Sequence, residues 1–132
     1  MKPEPYAPEW FPEFARCEQW ISAALEYCGG THKIEDIIAG IYTGQFQFWP
    51  GEKSAVITEI VEHPQMRVLH FFLVGGDLAE LAEMEPVMVA WGRRMGCERA
   101  TTIGREGWRR TFLKDRGYRP MWHVMARNLL EG

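Results

Sequence analysis

Cysteine is scarce in this 132-residue chain: Cys17, Cys28 and Cys97 form no C-x-x-C pair and no cluster with histidine at zinc-ligand spacing. A disulfide framework and a metal centre of ordinary spacing are therefore excluded, leaving three free thiols, buried or half-buried. Long apolar runs are missing too, and none approaches the roughly 18–20 residues that cross a bilayer. The N-terminal stretch MKPEPYAPEWFPEF has prolines and acids where a signal peptide needs an apolar segment. These absences point to a protein made and kept in the cytoplasm, away from membranes. The chain also lacks G-x-S-x-G, G-x-x-x-x-G-K-[ST] and H-E-x-x-H, so serine-hydrolase, P-loop and zinc-protease chemistry have no support. No repeat, low-complexity segment or linker divides the sequence.

What is present is the composition of one globular domain, 46% hydrophobic and 25% charged, with six Trp and seven Phe to fill its core. The net charge of −3 conceals an asymmetry. Residues 1–92 hold 5 basic and 14 acidic side chains, whereas residues 93–127 hold 10 basic and 3 acidic. The basic segment suits either a phosphate-bearing ligand or neutralisation by the acidic half within one fold.

Four prolines in residues 1–12 predict an extended N-terminal arm, followed by a single domain over residues 13–132. Phe14, Cys17, Ile21, Leu25 and Cys28 recur at helical spacing, and Gly29-Gly30 ends that helix. Thr31 then fits the N-cap of a second helix carrying Ile34, Ile37, Ile38 and Ile41. Gln45–Trp49 alternates and stops at Pro50-Gly51. Ser54–Glu62 is rich in β-branched residues, and Arg67–Val74 is almost wholly apolar, as a strand covered on both faces would be. The first two form a hairpin, with the third antiparallel beside them.

Asp77, with Glu80 at the capping-box position, opens a long helix that Pro86 should kink or restart. A short strand over Arg99–Ile103, a helix over 106–116 and a last strand or strand pair over Tyr118–Leu129 complete the order α-α-β-β-β-α-β-α-β. The fold class is α/β (α+β): a mixed, mostly antiparallel central sheet flanked by helices.

Two polar residues interrupt the apolar strands. Glu59 shares a face with Ala55, Ile57 and Val61, and His70 shares one with Val68 and Phe72. A carboxylate so placed has a partner or a raised pKa, so each residue serves as a hydrogen-bonded structural group or as a catalytic base, Glu59 being the stronger candidate.

This element order, with the ending FLKDRGYRPMWHVMARNL, resembles the GNAT family of N-acyltransferases over residues 13–130. WPGEKSAVITEI, VGGDLAEL and GCERATTIGREGWRR are closest in texture to small GNAT-like proteins of phages and prophages. The resemblance implies a possible acetyl-CoA cofactor, its pantetheine arm running along Phe71–Val74. It implies that the turn after that strand and the first residues of the long helix hold the diphosphate, so that Phe72, Leu73, Val74, Gly75, Gly76, Asp77 and Leu78 together bind the cofactor. Helix N-termini bind anions through unpaired amides and the positive dipole end. The Val74 and Gly75 amides would polarise the acyl carbonyl while Glu59, or a water it holds, takes the amine's proton.

The sequence departs from the family pattern in two places. The turn has no Arg or Gln at the signature position and offers Asp77, Glu80 and Glu83 instead. One carboxylate about 4 Å from a phosphate costs about 4 kcal/mol at an effective dielectric near 20. Leu113 also stands where many members carry the tyrosine that protonates the leaving thiolate, and Tyr118 falls in the neighbouring packing position. A non-catalytic GNAT-like interaction or assembly protein, paired with itself or with a phage partner, is therefore the alternative to an N-acetyltransferase. A third reading, nucleic-acid binding through Arg105, Trp108, Arg109, Arg110 and Arg116, is the weakest, because those charges also suit a solvated face paired with the acidic helices.

Overall fold

The computed structural model describes residues 10–104 and 106–130, except the side chains of Glu106 and Arg109. Helix α1 (Trp10–Leu25) places Trp10, Phe14, Cys17 and Ile21 on one buried stripe. It starts inside the expected arm because Trp10 is itself core, edge-on to Phe14 with ring centroids 5.6 Å apart. Pro12 lies in the first turn, where a missing amide costs nothing. Residues 1–9 of the expected arm lie outside the described residues.

Helix α2 (Ile34–Thr43) begins at Lys33, not at Thr31. The Lys33 amide donates to Asp36 Oδ2 at 2.8 Å, while the Thr31 hydroxyl donates back to the Cys28 carbonyl. Gly44, at φ 85°, closes the helix in the left-handed region.

Strands β1 (Phe46–Pro50), β2 (Ser54–Glu62), β3 (Arg67–Gly76) and β4 (Cys97–Thr102) form one sheet in that spatial order. The first three are antiparallel neighbours, and β3 pairs with β4 in parallel. Two cores cover the two faces. One joins α1 and α2 to Phe46, Phe48, Ala55, Ile57 and Leu73. The other joins Trp49, Val56, Leu69 and Phe71 to Leu81, Met88 and Trp91 of helix α3 (Leu78–Arg94).

Leu73 reaches the first core because β3 is bulged. Ile57 pairs with Leu73 and Thr58 with Phe71, so Phe72 is the extra residue on β3. Phe72 and Leu73 therefore both pack against the α1–α2 layer, whereas Phe71 and Val74 pack towards α3.

Helix α3 runs through Pro86 without restarting. Proline removes the amide that would have bonded the carbonyl four residues back, Ala82 O. Arg116 donates to that freed carbonyl at 2.6 Å and to the Glu85 carboxylate at 3.0 Å. The Tyr118 hydroxyl donates to the other Glu85 oxygen at 2.7 Å.

The segment after β4 differs most from its sequence pattern. Residues 106–116 form not one helix but a 3-10 turn (Glu106–Arg110) and a single α turn, α4 (Phe112–Asp115). Thr111 separates them: its hydroxyl donates to Trp108 O at 2.6 Å and accepts from the Leu113 amide. The expected last strand over Tyr118–Leu129 is absent among the described residues. Residues 118–124 of that stretch line one groove of about 1200 Å³ together with β4, and no ladder joins the two. Met121, Trp122, Val124, Met125 and Leu129 are all exposed along the stretch.

Glu85 is a buried carboxylate held by two partners from the tail, so their loss should unmoor α3. Arg116→Met is expected to lower stability by about 2 kcal/mol, because one carboxylate oxygen loses its charged donor. Adding Glu85→Gln should recover at least half of that loss. Urea denaturation of the single and double variants measures both.

Candidate functional site

Pairing between β3 and β4 ends at Phe71 and Thr102, whose hydroxyl donates to Phe71 O at 3.2 Å. Beyond that pair β3 runs on to Gly76 with no β4 residue opposite it, and its bulge begins at Phe72. A cavity of about 310 Å³ opens in the splay, at the lower end of small-molecule pocket sizes. Its walls come from the end of α1, the middle of β2, residues 70–74 of β3, the buried side of α3 and the segment after β4. Most of the lining is apolar, with Phe71, Phe72, Trp108 and Phe112 supplying the aromatic surface.

Glu59 and His70 are direct cross-strand partners, so both project into this cavity from one face of the sheet. Glu59 is half-buried and has no hydrogen bond or ion pair among the described residues. Burial pushes its pKa above the ordinary carboxylate value, and the positive field of His32 offsets this in part. His70 is held by Thr101, whose hydroxyl lies 2.9 Å from Nδ1. Burial moves the His70 pKa below the usual histidine value, and hydrogen bonding to Thr101 opposes the shift. At neutral pH the site thus presents a neutral imidazole beside a carboxyl group with basic character.

Cys28 and Thr31 line the same cavity from the loop after α1. Sequence periodicity assigned Cys28 to a helix face. No short-range pattern could show that the β3 bulge would bring a cavity to it.

Of the residues that the family resemblance assigns to a cofactor, Phe72, Leu73 and Val74 line the cavity, whereas Gly75, Gly76, Asp77 and Leu78 lie outside its lining. The turn between β3 and α3 is the single residue Asp77. Its amide donates to Lys53 O at 3.1 Å, and its carboxylate caps α3 by accepting from the Glu80 amide at 2.9 Å.

Glu80 does not complete a capping box. Its carboxylate crosses to the β1–β2 turn, accepting from the Glu52 and Lys53 amides, each at 2.9 Å, and from the Ser54 hydroxyl. Desolvation raises the Glu80 pKa, but these donors together outweigh it and hold the group below the usual carboxylate value. These residues do not fit the diphosphate of acetyl-CoA: the Asp77 and Glu80 amides already have partners, and two carboxylates stand at the same turn.

Leu113 reaches the cavity and has no proton to give. Tyr118 keeps its proton on Glu85, its pKa raised by burial and then by that carboxylate. Arg116 lies on Glu85 and over the Phe112 ring, 4.9 Å from its centroid, and Arg110 is exposed. Arg105 is outside the described residues. Among the described residues no group of His, Cys, Asp and Glu is arranged to hold a metal ion, and no helix is long and apolar enough to cross a membrane.

Two solved structures share this architecture. The tetramutant of the BH1408 protein from Bacillus halodurans superposes with a TM-score of 0.63 at 13% identity, covering 92% of this chain and 95% of that one. An acetyltransferase from Trypanosoma brucei superposes with a TM-score of 0.56 at 15% identity, covering 85% of this chain and 94% of that one. The fold is GNAT-like. No family model and no curated protein matches the sequence. At these identities the likeness extends to the GNAT-like architecture alone.

The raised Glu59 pKa carries a stability signature. Between its ordinary and its folded pKa, the folded state retains a proton that the unfolded chain has lost. Glu59 therefore lowers stability as pH rises through that window, and its full cost is present above the folded pKa. Glu59→Gln should melt a few degrees higher than the parent at pH 8, with the gain vanishing near pH 4. Melting curves across that pH range provide the check, and equal melting temperatures throughout would mean that Glu59 is fully solvated.

Proposed function

We propose that the splay cavity is the amine-binding and acyl-transfer site of an N-acyltransferase, with Glu59 as the base. The cross-strand Glu59–His70 pair in an apolar cavity carries this reading. A carboxylate without a hydrogen bond or ion pair among the described residues, between aromatic walls, suits an ammonium group on approach and a proton from it on reaction. His70, neutral and fixed by Thr101, supplies a hydrogen-bonding wall without repelling the cation. The Trypanosoma neighbour is an acetyltransferase of the same architecture, which agrees with acyl transfer.

The test is isothermal calorimetry with small primary amines, followed by assay with an acyl thioester. Glu59→Gln is expected to lower kcat/KM at least 100-fold and to weaken amine binding about 10-fold, the range spanned by general bases and paired charges. Unchanged turnover in that variant would remove Glu59 from the mechanism.

A second reading is favoured by the exposed tail. Met121, Trp122, Val124, Met125 and Leu129 are exposed, the first three share a groove with the edge strand β4, and exposed apolar side chains near a sheet edge are a template for pairing. In this reading the chain is a GNAT-like interaction or assembly module, its tail pairing with a second copy or with another protein, as the phage-like texture of its sequence suggests. Light scattering at micromolar concentration should show a dimer, and Trp122→Glu with Met125→Glu should return it to a monomer. A monomeric parent would rule out self-pairing.

A further inference from the structure

Acyl-CoA-dependent sites gain much of their donor affinity from the nucleotide, far from the reacting carbon. The corner where that grip belongs is closed in this chain by its own groups. Asp77 is the whole turn, its amide spent on Lys53 O and its carboxylate on the Glu80 amide. Gly76, at φ 117°, sits where a Cβ would run into the Lys53 carbonyl and Ser54, so the β1–β2 turn packs close against this corner. Glu80 ties the β1–β2 turn onto the same corner through three donors. Two carboxylates thus stand where a diphosphate would need free amides, and each is held by a structural bond.

The other half of the site remains open. The cavity of about 310 Å³ reaches along Phe72–Val74, beyond the last β3–β4 pair, and ends short of Asp77. That volume admits an acyl group, a thioester and a short amide-bearing arm, and no nucleotide.

Building on the acyl-transfer reading above, we infer that this site takes its acyl group from a thioester held by its short pantetheine-like arm alone, with no binding contribution from a nucleotide diphosphate. In the step, the amine nitrogen attacks the thioester carbonyl and a C–N bond forms as the C–S bond breaks. The amine proton passes to Glu59, and the thiolate leaves with the bonding pair to be protonated by solvent. Where remote parts of a substrate contribute to catalysis, truncation lowers kcat as well as raising KM. Where they contribute nothing, the truncated and complete donors are equivalent.

The experiment compares S-acetyl-N-acetylcysteamine with acetyl-CoA on the full chain, with 2-phenylethylamine as acceptor and the amide product quantified by mass spectrometry. The kcat/KM values should agree within about threefold, and millimolar 3′,5′-ADP or inorganic pyrophosphate should leave the melting temperature unchanged. A preference of 30-fold or more for acetyl-CoA, or stabilisation by 3′,5′-ADP, would overturn the inference. So would a failure of both donors to react and to shift the melting temperature. In that case amine binding sensitive to Glu59→Gln would still leave the amine site standing, which separates the two failures.

Discussion

The β-bulge at Phe72 is the constraint on which the site depends. One unpaired residue on β3 turns two consecutive side chains, Phe72 and Leu73, to the same face. It sends Val74 to the opposite core and begins where the parallel pairing of β3 with β4 ends, at Phe71 and Thr102. Without it, β3 would continue its alternation, and Phe72 and Leu73 would face opposite cores. A bulge costs a ladder bond and raises local twist, so it persists only where packing on both faces over-determines it. Here Phe46 stacks on Phe72 at 5.5 Å on one side, and Phe71 and Val74 are held by the α3 layer on the other.

Below the bulge, Glu59 and His70 are brought together by register, so no loop has to hold the pair in place. Above it, the sheet ends at a corner built from hydrogen bonds to carboxylates. The acidic half of the chain thereby finds uses that its bulk charge conceals. Asp77 caps a helix, Glu80 fastens a turn, and Glu85 ties α3 to Arg116 and Tyr118. Each is satisfied locally, whereas Glu59 faces the cavity with no such bond. The contrast comes from position: the first three sit at element ends and helix faces where donors are available, and Glu59 sits mid-strand, where the neighbouring amides are spent on the sheet.

Much of the fold was legible in the sequence because it rests on local periodicity. Phe14, Cys17 and Ile21 mark α1, and SAVITEIVE and RVLHFFLV mark β2 and β3. The positions of Glu59 and His70 were legible for the same reason, since period-2 alternation assigns a face. Their pairing was not, because it depends on the register between strands. The bulge left no mark, since FFLV contains neither glycine nor proline. The 106–116 segment reads as a helix until the Thr111 hydroxyl competes for its backbone. Tyr118–Leu129 has the alternation of a strand, but a strand needs an edge within reach, and sequence carries no information about a groove. Glu80 fitted the capping-box spacing, yet the β1–β2 turn offered it three donors where the helix offered one.

The two halves of the site need not stand or fall together. The amine half depends on the bulge and on β2–β3 register, and both are fixed by buried apolar packing. The corner depends on Asp77, Lys53 and Glu80, whose bonds stabilise the β1–β2 turn and the start of α3. A phosphate-binding loop must hold its amides unpaired in the unliganded state, which lowers stability, whereas a self-capped helix gains it. On the proposed reading, the chain gains stability from the second arrangement, provided that its donor brings its reactive carbon to Phe72–Val74 by another means. On the proposed acyl-transfer reading, the geometry would separate acyl transfer from nucleotide recognition, two properties that the fold is otherwise expected to carry together.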